Sequence, residues 1–239
     1  MHPQLSPFDG ALLVDKPPKL TSHDVVDRLR RHFGFKKVGH CGTLDPAATG
    51  LLIIVLERAT KLQANLMSAD KTYEGMMRLG IATDSQDADG AVIAEKPVSP
   101  LAEADIEAVL AKFRGDIQQI PPMVSAIKHE GTPLYKLARK GKTVERKPRL
   151  VHIYDFRLLK LELPCIHFRV SCTKGTYVRT LCHDIGEQLG CGAHLAALRR
   201  TRSGEFDVKD ARTLDDLLTF RREQLQPHVI PILKLVKPV

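Results

Sequence analysis

The spacing of apolar residues in this chain switches repeatedly between the period of β-strands and the period of α-helices. Apolar and polar residues alternate along 166–173 and again along 71–79, whereas the apolar residues of 106–113 recur at helical spacing. The strands and helices do not follow the regular βαβ rhythm of a doubly wound parallel sheet. The pattern therefore predicts an α+β fold, with a mixed and mostly antiparallel sheet flanked by helices.

The helices have recognisable start and stop signals. Thr21 and Asp24 show the spacing of a capping box, in which a hydroxyl and a carboxylate three residues apart satisfy the first backbone N–H groups. A helix should follow and bury Val25, Val26, Leu29 and Phe33. Further helices are expected over 99–115, from about 176 to 190, and after 213. The tail from 226, which contains three prolines, is predicted to be irregular.

The chain is basic, with 36 Lys and Arg against 28 Asp and Glu and a formal charge of +8. The excess is concentrated in residues 128–149, the basic segment, whose eight basic and two acidic side chains give a net charge of +6. This concentration favours a surface that contacts the phosphates of a polyanion, although a solvated helix face and loop would have the same composition. The candidates for contacts to an RNA backbone are Lys128, Arg139, Lys140, Lys142, Arg146 and Lys147.

Cysteine usage and hydropathy indicate a cytoplasmic protein. The five cysteines include no Cys-x-x-Cys pair, which suits reduced thiols better than a disulfide framework. The longest aliphatic run, 51–56, is far shorter than the roughly 18 residues that a membrane span needs. We therefore expect neither secretion nor membrane association.

The sequence has no strong signal for a cofactor or a metal. It has neither a Gly-x-x-x-x-Gly-Lys-[Ser/Thr] loop nor a Gly-x-Gly-x-x-Gly motif after a strand. The acidic stretch 84–90 resembles a calcium loop, but Lys96 falls where a bidentate Glu is needed, so a turn between strands is preferred. Cys182 and His183 show no recognised zinc-ligand spacing with their neighbours. We predict no metal and no cofactor.

Residues 39–50 (GHCGTLDPAATG) form the loop best suited to present a reactive side chain. Three glycines and one proline indicate a special backbone shape, and Asp45 is the only carboxylate. Pro46 restricts Asp45 to an extended conformation and so directs its carboxylate. From these residues alone, an Asx-type turn or a helix cap explains the pattern equally well.

The same loop resembles the signature of the TruB family of pseudouridine synthases, Gly-His-x-Gly-x-Leu-Asp-Pro-x-Ala-Thr-Gly. Other stretches resemble further motifs of that family in the same order, at 14–17 with 21–22, 71–73, 121–126, 174–179 and 198–204. Ordered motifs over so much of the chain are not expected by chance. The resemblance implies the pseudouridine synthase catalytic fold and a cofactor-free isomerisation of uridine to pseudouridine in the T loop of tRNA.

The resemblance also implies the catalytic residues. Asp45 matches the catalytic aspartate, and Arg179 matches the arginine that pairs with this aspartate. Tyr73 matches the active-site tyrosine that stacks on the target base, although taken alone it would be interpreted as a core aromatic residue.

Four further residues are expected to bind the substrate. His40 matches the histidine that fills the space left by the flipped base, and Leu198 matches the apolar residue that lines the uracil pocket. Lys16 and Lys71 lie in two of the other family motifs and are also assigned to substrate binding.

The chain departs from the family pattern in two places. Lys19 stands where the family commonly has glycine, so the turn before Thr21 is expected to be built differently. Many bacterial members continue into a C-terminal PUA-like domain, which is expected to be reduced or absent here. We therefore expect a catalytic domain over 1–212 and a short C-terminal helix and tail over 213–239.

Two alternative functions remain open at this point. The guide-RNA-dependent synthase of box H/ACA particles shares the aspartate loop, but its members normally retain the PUA domain. An RNA-binding or tRNA-folding module, with catalysis secondary, is the alternative from another class. The expected partner is tRNA, bound through its T stem-loop by a monomer that requires no protein partner.

Overall fold

The structure is a computed structural model, and it describes residues 5–125, 127–138 and 140–236. Its strands are Gly10–Lys16 (β1), Val38–His40 (β2), Thr49–Leu56 (β3), Lys71–Leu79 (β4), Ile81–Thr83 (β5), Val92–Glu95 (β6), Gly115–Gln119 (β7), Lys128–His129 (β8), Thr132–Pro133 (β9), Arg149–Glu162 (β10), Cys165–Cys172 (β11), Ala193–Ser203 (β12), Phe206–Asp207 (β13), Arg212–Thr213 (β14) and Val229–Pro231 (β15). Its α-helices are Ser22–Phe33 (α1), Gln63–Met67 (α2), Glu103–Ala111 (α3), Leu134–Ala138 (α4), Val178–Gln188 (α5), Leu214–Thr219 (α6), Arg222–Leu225 (α7) and Ile232–Leu235 (α8). Short 3₁₀ turns occupy Glu57–Leu62, Val208–Asp210 and Gln226–His228.

The chain divides into two compact units, which we name by a residue of each. The Asp45 unit contains the residues up to Tyr73 and those from Arg199 onward, and the Arg179 unit contains residues 74–198. The chain passes from one unit to the other within β4 and again within β12. The domain division expected at 212 stays a prediction.

In the Asp45 unit, β1 pairs with strands on both of its edges. It runs antiparallel to β3 along its whole length, from Gly10 opposite Leu56 to Lys16 opposite Gly50. Its other edge takes β15 in antiparallel and β14 in parallel orientation. β3 in turn pairs antiparallel with β2 and parallel with β12. The C-terminal segment therefore completes this sheet.

The prediction of an irregular tail was wrong, because β15 and the short helix α8 lie within it. Residues 229–231 pair with Gly10, Ala11 and Leu12 of β1. A Cβ atom at Gly10 would lie 2.1 Å from the carbonyl oxygen of Ile230, so only glycine allows this close approach.

Helix α1 begins as predicted. The Thr21 hydroxyl accepts the Asp24 N–H at 3.0 Å, and the Asp24 carboxylate accepts the Thr21 N–H at 2.7 Å. Gly34, with a φ of +66°, ends the helix in the left-handed conformation. The side chains predicted to be buried by this helix are buried: Val25, Val26, Leu29 and Phe33.

The Arg179 unit is built on β10, which pairs antiparallel with β11 and with β7. Alternate residues of β11 are buried as the period predicted, and Phe168 packs edge-on against Phe156 with ring centroids 5.4 Å apart. β5 and β6 form an antiparallel hairpin around the acidic stretch 84–90. The predicted turn between strands is therefore confirmed.

Two helices begin later than predicted. α3 begins at Glu103 and not at 99, because the Asp105 carboxylate accepts the Ala102 N–H at 2.8 Å and so caps a later start. α5 begins at Val178, two residues after the predicted start. α6 follows Thr213 as predicted.

The predicted fold class is confirmed. Most strand pairs are antiparallel, and β14 with β1 and β12 with β3 are parallel, so the sheet is mixed and is accompanied by helices. Among the residues that the structure describes, no helix is long and apolar enough to cross a membrane.

Candidate active site

Asp45 lies on the loop that connects β2 to β3 in the Asp45 unit. Gly42 and Gly50 have φ values of +95° and +97°, which L side chains rarely adopt. A Cβ atom at Gly50 would also lie 2.3 Å from the carbonyl oxygen of Arg200 on β12. Two of the loop's glycines are thus required by its backbone shape, as the sequence indicated.

Lys16 supports this loop from inside the protein. Its side chain has no exposed surface, and its ammonium donates to the carbonyls of Pro17 at 2.9 Å, Leu20 at 2.7 Å and Pro46 at 3.2 Å. Lys19 adopts a φ of +67° at the family's glycine position, and its N–H also donates to the Pro46 carbonyl, at 2.9 Å. Lys16 was predicted to bind substrate, and this role stays a prediction; in the structure its N–H groups are occupied by the chain's own carbonyls.

Asp45 and Lys16 interact electrostatically. Burial lowers the pKa of Lys16 to about 8, the negative charges of Asp45 and Asp24 offset part of this lowering, and the positive charge of Arg200 adds to it. The Asp45 carboxylate therefore favours the charged form of the buried ammonium. Asp45 is only half-buried, so solvent reaches it.

Arg200 is a site residue that the sequence analysis missed. It is 1% exposed, and its guanidinium donates to the carbonyls of Leu51 at 2.7 Å, Gly42 at 3.1 Å and Thr43 at 3.5 Å. The arginine thus attaches both ends of the Asp45 loop to β12.

His40 is the last residue of β2, directly before the loop. Its ring is half-buried, and its Nδ1 atom is buried with no hydrogen-bond partner among the described residues. Burial lowers the pKa of His40, and the positive charges of Arg200 and His23 lower it further. A neutral imidazole is therefore favoured at this position.

Lys71 and Tyr73 lie together at the start of β4. The Lys71 ammonium is buried and donates to the carbonyls of Met67, at 2.7 Å, and Ala69. Lys71 was also predicted to bind substrate, and this role stays a prediction. Tyr73, two residues further along, is half-buried.

In the Arg179 unit, Arg179 is held by three groups of its own unit. The side chain is 5% exposed, donates to the carbonyls of Val124 at 2.8 Å and Ser85 at 3.2 Å, and pairs with Asp87 at 3.3 Å. Asp87 belongs to the acidic stretch 84–90, which the sequence analysis interpreted only as a turn. Leu198, also in this unit, is half-buried on β12.

The basic segment contains both exposed and engaged cations. Lys140, Lys142 and Lys147 are exposed, whereas Arg146 is half-buried and donates to the Pro121 carbonyl at 3.1 Å. Arg139 lies outside the described residues, and for Lys128 the structure describes the backbone strand alone. The exposed lysines are available for phosphate contacts.

The part of the chain that the structure describes has no group of three or more His, Cys, Asp or Glu side chains that could hold a metal ion. Cys182 is buried, as expected of a core thiol, and burial raises the pKa of its thiol.

The sequence matches the family model described as TruB family pseudouridylate synthase, N-terminal domain, over residues 30–178. It also matches the tRNA pseudouridylate synthase B C-terminal domain over 179–238. The chain belongs to the TruB family of pseudouridylate synthases.

Other TruB-family proteins are similar to this one over most of their length. The tRNA pseudouridine synthase B of Opitutus terrae is 55% identical over 94% of this chain and 93% of its own. That of Chromohalobacter salexigens is 49% identical over 95% of this chain and 74% of its own.

Solved structures confirm the fold. A chain of a Cbf5–Nop10–Gar1 complex is 33% identical to this TruB-family chain, with a TM-score of 0.77 over 96% of this chain and 62% of that one. A chain of an H/ACA RNP bound to a substrate RNA containing 2′-deoxyuridine is 31% identical, with a TM-score of 0.73 over 95% of this chain and 61% of that one. This chain therefore spans less than two thirds of those chains.

Proposed function

We propose that this chain isomerises uridine to pseudouridine in the T loop of tRNA, with Asp45 as the catalytic carboxylate. The observation that carries the proposal is the loop between β2 and β3, which presents Asp45 to solvent on a backbone fixed by Lys16 and Arg200. Membership of the TruB family supports the reaction, and the relatives named tRNA pseudouridine synthase B support tRNA as the substrate.

The reaction rearranges one nucleotide without net gain or loss of atoms. The bond from N1 to C1′ breaks, the uracil turns over, and C5 bonds to C1′, while C5 releases a proton and N1 takes one up. An ionised carboxylate beside the ribose can act as a nucleophile or stabilise positive charge that develops at C1′. Asp45 has this role in the proposal.

Arg179 and Tyr73 complete the proposed catalytic set. Arg179 keeps Asp45 ionised and oriented, because an adjacent cation favours the charged form of a carboxylate. The ion pair with Asp87 and the bonds to two carbonyls restrict the guanidinium to one orientation, which supports such a role. Tyr73 stacks on the target base.

The target uridine must leave its stack to be reached, which costs a few kcal/mol. His40 fills the vacated space in the proposal, and its neutral, half-buried imidazole suits contact with neighbouring bases. Leu198 lines the uracil pocket. Lys16 and Lys71 support the surrounding backbone.

The basic segment supplies phosphate contacts that hold the RNA in register. Lys140, Lys142 and Lys147 carry this role because they are exposed. Lys128, Arg139 and Arg146 complete the predicted set. The enzyme acts in the cytoplasm as a monomer and needs no protein partner.

The experiment is tritium release from a T-arm stem-loop labelled with [5-³H]uridine, because bonding C5 to C1′ expels the label. The control is the same stem-loop with cytidine at the target position. We expect release from the first RNA and none from the control. Tight binding without release would favour the RNA-binding or tRNA-folding module instead.

A further inference from the structure

The backbone carbonyls of the Asp45 loop are well satisfied. Every carbonyl from Gly42 to Pro46 accepts a hydrogen bond: Gly42 and Thr43 from Arg200, Leu44 from Ser22, Asp45 from the Ala48 N–H, and Pro46 from Lys16 and Lys19. Three of these donors are buried side chains on β12, α1 and β1. The loop is therefore held from three separate elements.

Ser22 contacts the residue directly before Asp45 in the chain. Its hydroxyl accepts the Leu44 N–H at 2.8 Å and donates to the Leu44 carbonyl at 3.1 Å. A single hydroxyl thus binds both backbone polar groups of the residue directly before Asp45. Ser22 and Leu44 are 1% and 3% exposed, so water cannot easily replace the hydroxyl.

The position of Ser22 is itself fixed. It is the first residue of α1, directly after Thr21, whose capping box with Asp24 sets the start of the helix. The Ser22 hydroxyl therefore transfers the rigidity of a capped helix to the loop. The side chain has no surface from which it could contact RNA or a reacting atom.

We propose that Ser22 is a positioning residue for Asp45, acting through the backbone of Leu44. The proposal rests on the proposed function, in which Asp45 is the catalytic carboxylate. A carboxylate that acts at C1′ must be held in a near-attack position, and a displacement of about 1 Å can cost roughly 100-fold in rate. Removing the Ser22 hydroxyl leaves two backbone groups unsatisfied at the residue that precedes this carboxylate.

The test compares Ser22→Ala, Ser22→Cys and Ser203→Ala in the full chain. Ser203 is a matched control, because it is also 1% exposed in the Asp45 unit but its hydroxyl has no hydrogen-bond partner in the described structure. The readouts are the single-turnover rate of tritium release at saturating enzyme, the dissociation constant for the T-arm RNA, and the thermal unfolding midpoint.

Ser22→Ala should lower the single-turnover rate by roughly 10- to 100-fold with RNA affinity unchanged. Ser22→Cys should fall between Ser22→Ala and the wild type, since a thiol is a weaker donor and acceptor of similar shape. Ser203→Ala should retain the wild-type rate. A general loss of core stability would lower the unfolding midpoint and RNA binding as well, so a decrease in the single-turnover rate alone indicates a positioning role.

A wild-type rate in Ser22→Ala would overturn the proposal. If Ser22→Ala did not unfold cooperatively, Ser22→Cys would decide, and a wild-type rate in that variant would have the same meaning. An equal loss in Ser203→Ala would also overturn it. Asp45→Asn in the same assay distinguishes failure of the proposed function from failure of the Ser22 proposal. If Asp45→Asn stays active, the catalytic role of Asp45 is wrong. If Asp45→Asn is inactive and Ser22→Ala keeps the wild-type rate, only the positioning role of Ser22 is wrong.

Discussion

The two adjacent arginines on β12 should differ sharply in their contribution to stability. Arg200→Met removes the hydrogen bonds to the Leu51 and Gly42 carbonyls, and hydrogen bonds to charged groups contribute about 1.5–3 kcal/mol each. Part of this effect is offset, because a buried guanidinium no longer has to be desolvated and methionine keeps some of the packing. We therefore expect the free energy of unfolding to fall by about 2–4 kcal/mol.

Arg199→Met is the matched control. Arg199 pairs with Asp15 at 2.6 and 3.0 Å, but its side chain is 41% exposed, and pairs of this kind contribute about 0–1 kcal/mol. Equilibrium urea unfolding of the wild type, Arg200→Met and Arg199→Met would measure both changes. The comparison uses the same dependence of the free energy of unfolding on urea concentration for all three proteins. An equal loss of stability in Arg199→Met and Arg200→Met would refute the special role of Arg200 in holding the Asp45 loop.

Two further predictions concern RNA binding and pH. We consider the slope of the logarithm of the RNA-binding constant against the logarithm of the salt concentration. Each lysine of the basic segment that binds a phosphate should, when replaced by Gln, reduce the magnitude of this slope by about 0.7–0.9. The test is a triple replacement by Gln at Lys140, Lys142 and Lys147, against a control triple at the exposed Lys112, Lys160 and Lys209; equal slopes in the two triples would assign the segment to a solvated face. The single-turnover rate should fall as the pH rises through about 8, because Lys16 then loses a proton and one of the N–H groups that bind the carbonyls of Pro17, Leu20 and Pro46. Lys16→Met should have a low single-turnover rate on the same RNA, and that rate should not fall between neutral and alkaline pH. If the rates of the wild type and Lys16→Met fell identically at alkaline pH, Lys16 would be excluded as the cause.

Local signals in the sequence predicted much of the fold. The alternation along 166–173 became β11, and the pair Thr21 and Asp24 became the capping box of α1, because both depend on residues only a few positions apart. α3 was misplaced because Asp105 caps a later start than the predicted start at 99. Competing signals of this kind differ too little in free energy for sequence to choose between them.

The long-range contacts of the site could not be predicted from local patterns. Arg200 donates to a carbonyl 149 positions away, and Arg179 bonds to a carbonyl 94 positions away. The family motifs assigned a role to both Asp45 and Lys16, but they gave no means of distinguishing Lys16, whose ammonium is buried against backbone carbonyls, from the half-buried Asp45. That distinction depends on burial and on backbone carbonyls, which have no sequence signal of their own.

The most direct test of the catalytic assignment is tritium release by Asp45→Asn. The change keeps the size of the side chain, and Pro46, Lys16 and Arg200 can still hold the loop, but an amide is not a carboxylate nucleophile and supplies no negative charge against C1′. Affinity for the T-arm RNA should persist, because phosphate contacts and base stacking carry the binding.

Binding and release are therefore measured on the same Asp45→Asn preparation, with its cooperative unfolding as the control for the fold. We predict RNA binding close to that of the wild type and no release of tritium above background. Release at a near wild-type rate would contradict the assignment of Asp45, and a joint loss of RNA binding and cooperative unfolding would show that Asp45 serves the structure of the loop instead.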